Sequence, residues 1–145
     1  MVKKSVTTGE FDMHFILVGL LALGALLNLF LGLSFFFDPA TAGADFGLQS
    51  PNEQGLSSMR ADFTAFFLVA AFCEGWAAWK RRGDILWPAL MLFVIAFTGR
   101  LVNLIVVGDY ELWYGPMAVE ALHIIVMVLA IKTFPGGKVS PANPA

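Results

Sequence analysis

One cysteine, Cys73, occurs in 145 residues, so neither an intrachain disulfide nor a cysteine-based metal cluster can form. Charge is scarce too: Asp, Glu, Lys and Arg make up 14% of the chain, against about 25% in a soluble domain. The nine basic residues form no tract that would hold nucleic acid. Histidine occurs twice, as His14 and His123. Their expected depths differ by more than about 10 Å at the helical rise, which excludes axial ligation of one haem iron by the pair. There is no P-loop, no dinucleotide glycine fingerprint, no His-Glu-x-x-His motif and no Gly-x-Ser-x-Gly elbow. Ser57 and Ser58 have no histidine base at their level.

What is abundant is apolar. Hydrophobic residues make up 58% of the chain, and the mean hydropathy is +0.74. A helix crosses a bilayer core with about 20 apolar residues. Four segments qualify, over 13–37, 58–79, 85–107 and 113–134. The boundaries carry breakers: Asp38-Pro39 after the first, Pro88 and Pro116 in the first turns of the third and fourth, and Pro135-Gly136-Gly137 at the end. The expected fold is an all-α bundle of four transmembrane helices in one domain over 1–135, with a flexible tail over 136–145.

Charge sets the direction. Lys3, Lys4, Lys80, Arg81, Arg82, Lys132 and Lys138 fall on one side, whereas Asp38, Asp45, Glu53, Asp109 and Glu111 fall on the other. Excess Lys and Arg marks the cytoplasmic side, so both termini are expected there. Trp76, Trp79 and Trp87 form one interfacial belt, and Tyr110, Trp113 and Tyr114 the other. Ala42-Gly43-Ala44 has the look of a signal-peptide cleavage site, but the first apolar run is longer than a signal h-region of about 7–15 residues. The loop over 38–57 has two readings of equal weight, a cap folded on the helix ends through Phe46, Leu48 and Leu56 or a solvated connector.

Polar residues inside the membrane are costly, so they carry the functional information. Counted from the outer end at the helical rise, Asn28, Arg100 and Glu120 lie roughly 10–14 Å deep and His123 about 15 Å. Asn103 lies at roughly 6 Å, and Arg60 and Asp62 at roughly 3–6 Å. Glu74, about 24 Å from that end, is expected to be a solvated interfacial carboxylate near Lys80. Arg100 and Asn103 share a helix face, as do Glu120 and His123. Arg100 is therefore expected to pair with Glu120, with Asp62 as second choice. Gly24, Asn28 and Gly32 form a small-residue stripe that turns Asn28 toward protein, and Ala65, Ala70, Ala71 and Ala77 do similar work in the second span.

Each residue has a bland reading beside the functional one. The Arg100–Glu120 pair fixes helix register, or it serves a ligand site. Desolvation makes such a pair weak evidence for stability alone. His123 is a hydrogen-bonded neutral imidazole, a proton shuttle or a metal ligand. Glu120-x-x-His123 matches one half of a di-iron carboxylate site, but that site needs two such motifs and two further glutamates. No metal is assigned and no cofactor is named. Asp62 suits a helix N-terminus or a site entrance, and Arg60 a lipid phosphate or Glu53. The inner half is apolar apart from Glu74, which disfavours a continuous water wire.

Arg60-Ala61-Asp62, Gly99-Arg100 and Glu120, set in four short helices, resemble a bacterial family of small four-helix membrane proteins of uncharacterised function. The resemblance covers about Phe15 to Lys132. It implies the same fold, a bacterial inner (plasma) membrane location, and no reaction. Where that pattern has an acidic residue before Arg60 and paired glycines after it, this chain has Ser57-Ser58 and Thr64-Ala65.

The expected function is binding of a polar or amphipathic small molecule, or a lipid headgroup, in an outward-opening pocket of Arg100, Glu120, His123, Asn28, Asp62, Asn103 and Arg60. Membrane lipids are the expected partners. A Glu–His pair moves protons without being an enzyme, so no reaction is assigned. The alternative is a structural accessory subunit of a larger membrane complex, with protein partners in the bilayer.

Overall fold

A computed structural model describes residues 8–136 of the chain; most of the tail expected over 136–145 lies outside the described residues. The fold is all-α, with α1 (Thr8–Phe37), α2 (Pro39–Asp45), α3 (Glu53–Lys80), α4 (Trp87–Val106) and α5 (Tyr114–Thr133), and a single 3₁₀ turn, Asp84–Leu86, leading into α4. Four of these helices are long and apolar enough to cross a membrane, over Asp12–Phe37, Glu53–Lys80, Asp84–Val106 and Tyr114–Thr133. They pack as an up-and-down ring in the order α1, α3, α4, α5. One end carries the 38–52 connection and the α4–α5 connection (the loop end). The other carries Lys80, Arg81 and Arg82 (the basic end).

The second spanning helix starts five residues earlier than hydropathy predicts, at Glu53 rather than 58. The Asn52 side chain accepts a hydrogen bond from the Gly55 N–H at 2.9 Å, and Glu53 stands in the first turn, where a carboxylate opposes the positive end of the helix dipole. These residues are polar, so a search for apolar runs passes over them. At the far end Arg81 closes α3 in the left-handed conformation, at φ 52°. Lys80 Nζ there lies 4.2 Å from the Trp79 ring, a cation–π contact within the expected aromatic belt.

Small residues decide how closely α1 and α3 approach. A Cβ built on Gly32 would stand 2.9 Å from Leu68 Cγ, and one on Gly24 would stand 3.0 Å from Glu74 Oε2. Thr64 Oγ1 donates to the Gly32 carbonyl at 3.4 Å across the same seam. The Gly24, Asn28, Gly32 stripe is therefore the α1–α3 contact, the close approach that small residues permit between membrane helices. Ala70 and Ala77 are fully buried on the facing side of α3, whereas Ala65 points outward. Toward the basic end, Leu17, Leu21, Ala77, Leu86, Met127 and Phe134 fill the core. Outward-facing Leu23, Phe30, Ile105 and Val106 are each more than 60% exposed. Apolar residues outside and polar ones within is the arrangement a hydrocarbon solvent favours.

The loop over 38–57 resolves in favour of a cap. Asp38 is the N-cap of α2, with Oδ1 accepting from the Thr41 N–H at 3.2 Å, and Pro39 occupies the first turn. Ala42 and Gly43 are buried. Phe46 packs on Phe35 and Phe67 with ring centroids 5.4 and 5.9 Å apart. Phe35, Phe63 and Phe67 stack beneath it and complete a second apolar cluster at the loop end.

Candidate functional site

Five of the seven sequence-selected residues line one cavity. It has a volume of about 1,110 Å³ and reaches from Asp45, Phe46 and Tyr110 at the loop end to Asn28 in the bundle. Asn28, Asp62, Arg100, Asn103 and Glu120 all contribute to its wall, and Phe63, Phe66, Phe67 and Phe93 supply much of the apolar remainder. Leu112, on the rim, is held at φ 60°, a left-handed conformation that costs about 1–3 kcal/mol outside glycine.

The pair expected from depth is present. Arg100 Nε donates to Glu120 Oε1 at 2.8 Å, with the Arg side chain 32% exposed and the Glu side chain 9% exposed. A guanidinium carries five N–H donors, so this bond leaves the terminal nitrogens free to serve Tyr110 and the cavity. Glu120 Oε2 is buried and has no hydrogen-bond partner among the described residues. Buried polar atoms are rarely left so.

A second polar layer lies deeper, and it corrects the reading of Glu74. That residue is not a solvated interfacial carboxylate but is 1% exposed, in the middle of the bundle. Asn28 Nδ2 donates to Glu74 Oε2 at 2.9 Å and lies 3.3 Å from His123 Nε2. Glu74 Oε1 is 3.6 Å from the same imidazole nitrogen. His123 Nδ1 lies 2.8 Å from the Val119 carbonyl, which only accepts, so Nδ1 bears the proton. With Nδ2 donating to both neighbours, Nε2 is the acceptor. Phe93 of α4 stacks on the imidazole at 4.4 Å between centroids. All four spanning helices thus meet at this level.

Two geometric facts explain the misplacement of Glu74. The helix α3 has 28 residues, about 42 Å at the helical rise, so it exceeds a bilayer core of about 30 Å, and nearness to its Lys80 end does not mark nearness to an interface. Side chains also lean toward their helix N-terminus. On the antiparallel α1 and α3, Asn28 leans toward the basic end and Glu74 toward the loop end, which closes the gap. Helical phase was the usable signal, since Ala70, Cys73, Glu74, Ala77 and Ala78 are the buried side of α3 at i, i+3, i+4, i+7 and i+8.

The other candidates fall elsewhere. His123 lies beneath the cavity, joined to it through Asn28. Arg60 is outside it, with Nε donating to the Phe36 carbonyl at 3.0 Å and so satisfying the last turn of α1. Asp62 lines the cavity and is not Arg100's partner. His14 stacks on Phe134 at 5.6 Å, near the basic end. Glu120 and His123, three apart, serve different layers, and among the described residues no group of three His, Cys, Asp or Glu side chains could hold a metal ion. The arrangement can present a guanidinium, a carboxylate with a free lone pair and an amide to a polar group inside an aromatic sleeve, over a buried Asn–His–Glu floor. Comparison with known protein families, with curated proteins and with solved structures finds no match.

Proposed function

We propose that this membrane protein binds a polar or amphipathic small molecule, or a lipid headgroup, in the loop-end cavity. The observation that carries the reading is Glu120 Oε2, a buried acceptor without a partner beside a cavity of about 1,110 Å³. That volume lies just above the range of about 300–1,000 Å³ typical of small-molecule sites, enough for a head group and part of an apolar chain. Phenylalanines above and around the polar groups suit an apolar tail, and Arg100, Glu120 and Asn28 suit a head. The charged pair sits where a ligand would meet it, and charges inside a membrane are functional more often than structural.

The excess of Lys and Arg at one end supports a cytoplasmic location for that end and for both termini, so that the cavity opens away from the cytosol. The resemblance of Arg60-Ala61-Asp62, Gly99-Arg100 and Glu120 to small bacterial four-helix membrane proteins supports the bacterial inner membrane. Native mass spectrometry of the chain taken from its own membrane tests the pocket. A bound amphiphile is expected on the wild type. Glu120→Gln should reduce its retention with helicity unchanged, and equal retention in both proteins would overturn the reading.

A second reading, an accessory subunit of a membrane complex, has one supporting feature. A shallow apolar groove of about 610 Å³ runs between α1 and α3 past Ala22, Ala25, Ala71, Gly75 and Ala78, small residues of the kind that admit another helix. Mild extraction that yields the chain alone and monodisperse would remove it.

A further inference from the structure

We infer that the head group taken by the cavity bears a primary ammonium, so that the ligand is an alkylammonium amphiphile. The inference rests on the pocket reading above and gives it a sign of charge and a donor type. Four carboxylates and one guanidinium line the cavity: Asp45, Asp62, Glu111 and Glu120 against Arg100. Arg100 is already paired with Glu120. Asp45, Asp62 and Glu111 form no ion pair with any described residue. The surplus is therefore negative, and low-dielectric aromatic walls strengthen its attraction for a cation entering between them.

Glu120 then selects the kind of cation. Its side chain is 9% exposed, and Oε2 lacks a donor. An –NH₃⁺ group supplies that donor in a charge-assisted hydrogen bond. A quaternary ammonium can gain only from the faces of Phe66, Phe93 and their neighbours and leaves Oε2 unsatisfied. A hydroxyl satisfies Oε2 but, being neutral, gains nothing from the negative surplus of Asp45, Asp62 and Glu111. An anion could use the free nitrogens of Arg100, yet it would enter past three unpaired carboxylates. The apolar stretch of Leu27, Leu31, Phe63, Phe66 and Phe67 then accommodates the chain.

The full-length protein in phosphatidylcholine nanodiscs is titrated calorimetrically with decylammonium, decyltrimethylammonium and decyl phosphate, each corrected for protein-free discs. Decylammonium should bind at least about tenfold more tightly than either rival, the scale of one hydrogen bond to a charged group. Glu120→Gln should remove most of that preference. Asp62→Asn, an exposed change that leaves the bundle intact, should weaken decylammonium by about threefold, as expected of an exposed ion pair. Native mass spectrometry from discs containing phosphatidylethanolamine separates the sources: its retention assigns the lipid headgroup, and its absence with decylammonium bound assigns a free amine. If decyl phosphate or decyltrimethylammonium binds as well or better, the ammonium inference is overturned and the pocket stands. If no probe binds above protein-free discs, both fall.

Discussion

Asn28 is the residue on which the deeper polar layer depends, because one amide nitrogen serves two acceptors, Glu74 Oε2 and His123 Nε2. Removing a donor from a buried pair costs more than removing both partners, since the orphaned group keeps its desolvation penalty of about 1–3 kcal/mol. Asn28→Leu orphans a carboxylate and an imidazole at once. It should therefore destabilise by roughly twice that single-group penalty, and more than Glu74→Met, which leaves the Asn28–His123 contact in place. Reversible unfolding of the two variants and their double mutant in detergent would measure this; equal losses would mean that Asn28 is not the bridge. The same geometry fixes the tautomer: ¹⁵N spectra should show His123 protonated at Nδ1, with Nε2 as an acceptor that shifts when Asn28 is replaced. Residue identity made part of this site legible. Arg100 and Glu120 sit at matching depth on adjacent helices, and their pairing follows from that. Glu74 did not follow, because its distance from Lys80 suggested an interface while its phase, shared with Ala70 and Ala77, placed it inside.

At the scale of elements, hydropathy located all four spans but placed the start of α3 too late, because caps such as Asn52 are polar. The short helix α2 was not foreseen, and the 38–57 loop that contains it was legible only as a segment whose Phe46, Leu48 and Leu56 had a choice of two fates. What decides between them is tertiary: Phe46 finds Phe35 and Phe67, which lie on two different helices. The start of α2 depends on one carboxylate. The Thr41 hydroxyl and N–H hold Asp38 below its ordinary range, so the capping contribution is present above an unfolded-state pKa of about 3.9 and is lost as pH falls through the lower folded value. Amide exchange of residues 42–46 should thus accelerate on acidification below about pH 4, relative to the α4 core. Asp38→Asn, an equally good cap without a proton to gain, should abolish that dependence. Asp38→Ala should show fast exchange at every pH. Exchange that accelerates alike in Asp38→Asn and the wild type would place the acid-sensitive group elsewhere.

For the whole molecule, the two ends of the bundle differ in what they can do. The basic end is sealed. Gly83 approaches α5 so closely that an added Cβ would lie 2.7 Å from the Ile131 Cα, Arg82 pairs with Asp84, and Phe134 fills the space beneath. The loop end holds the large cavity with its acidic rim. The ligand proposed above would exchange with one compartment or one leaflet only, and the polar residues below the cavity end at Glu74 over the apolar core of Leu17, Leu21, Ala77 and Leu86. Direction therefore decides biological meaning, and the positive charge at residues 80–82 is the sequence feature that predicts it. In a Cys73→Ala background, with the buried native thiol removed, Gln49→Cys should react with a membrane-impermeant maleimide on intact cells, whereas Arg82→Cys should react only after permeabilisation. The reverse pattern would turn the cavity mouth toward the cytosol. The amphiphile would then be met from the inner leaflet, with every contact at Arg100 and Glu120 unchanged.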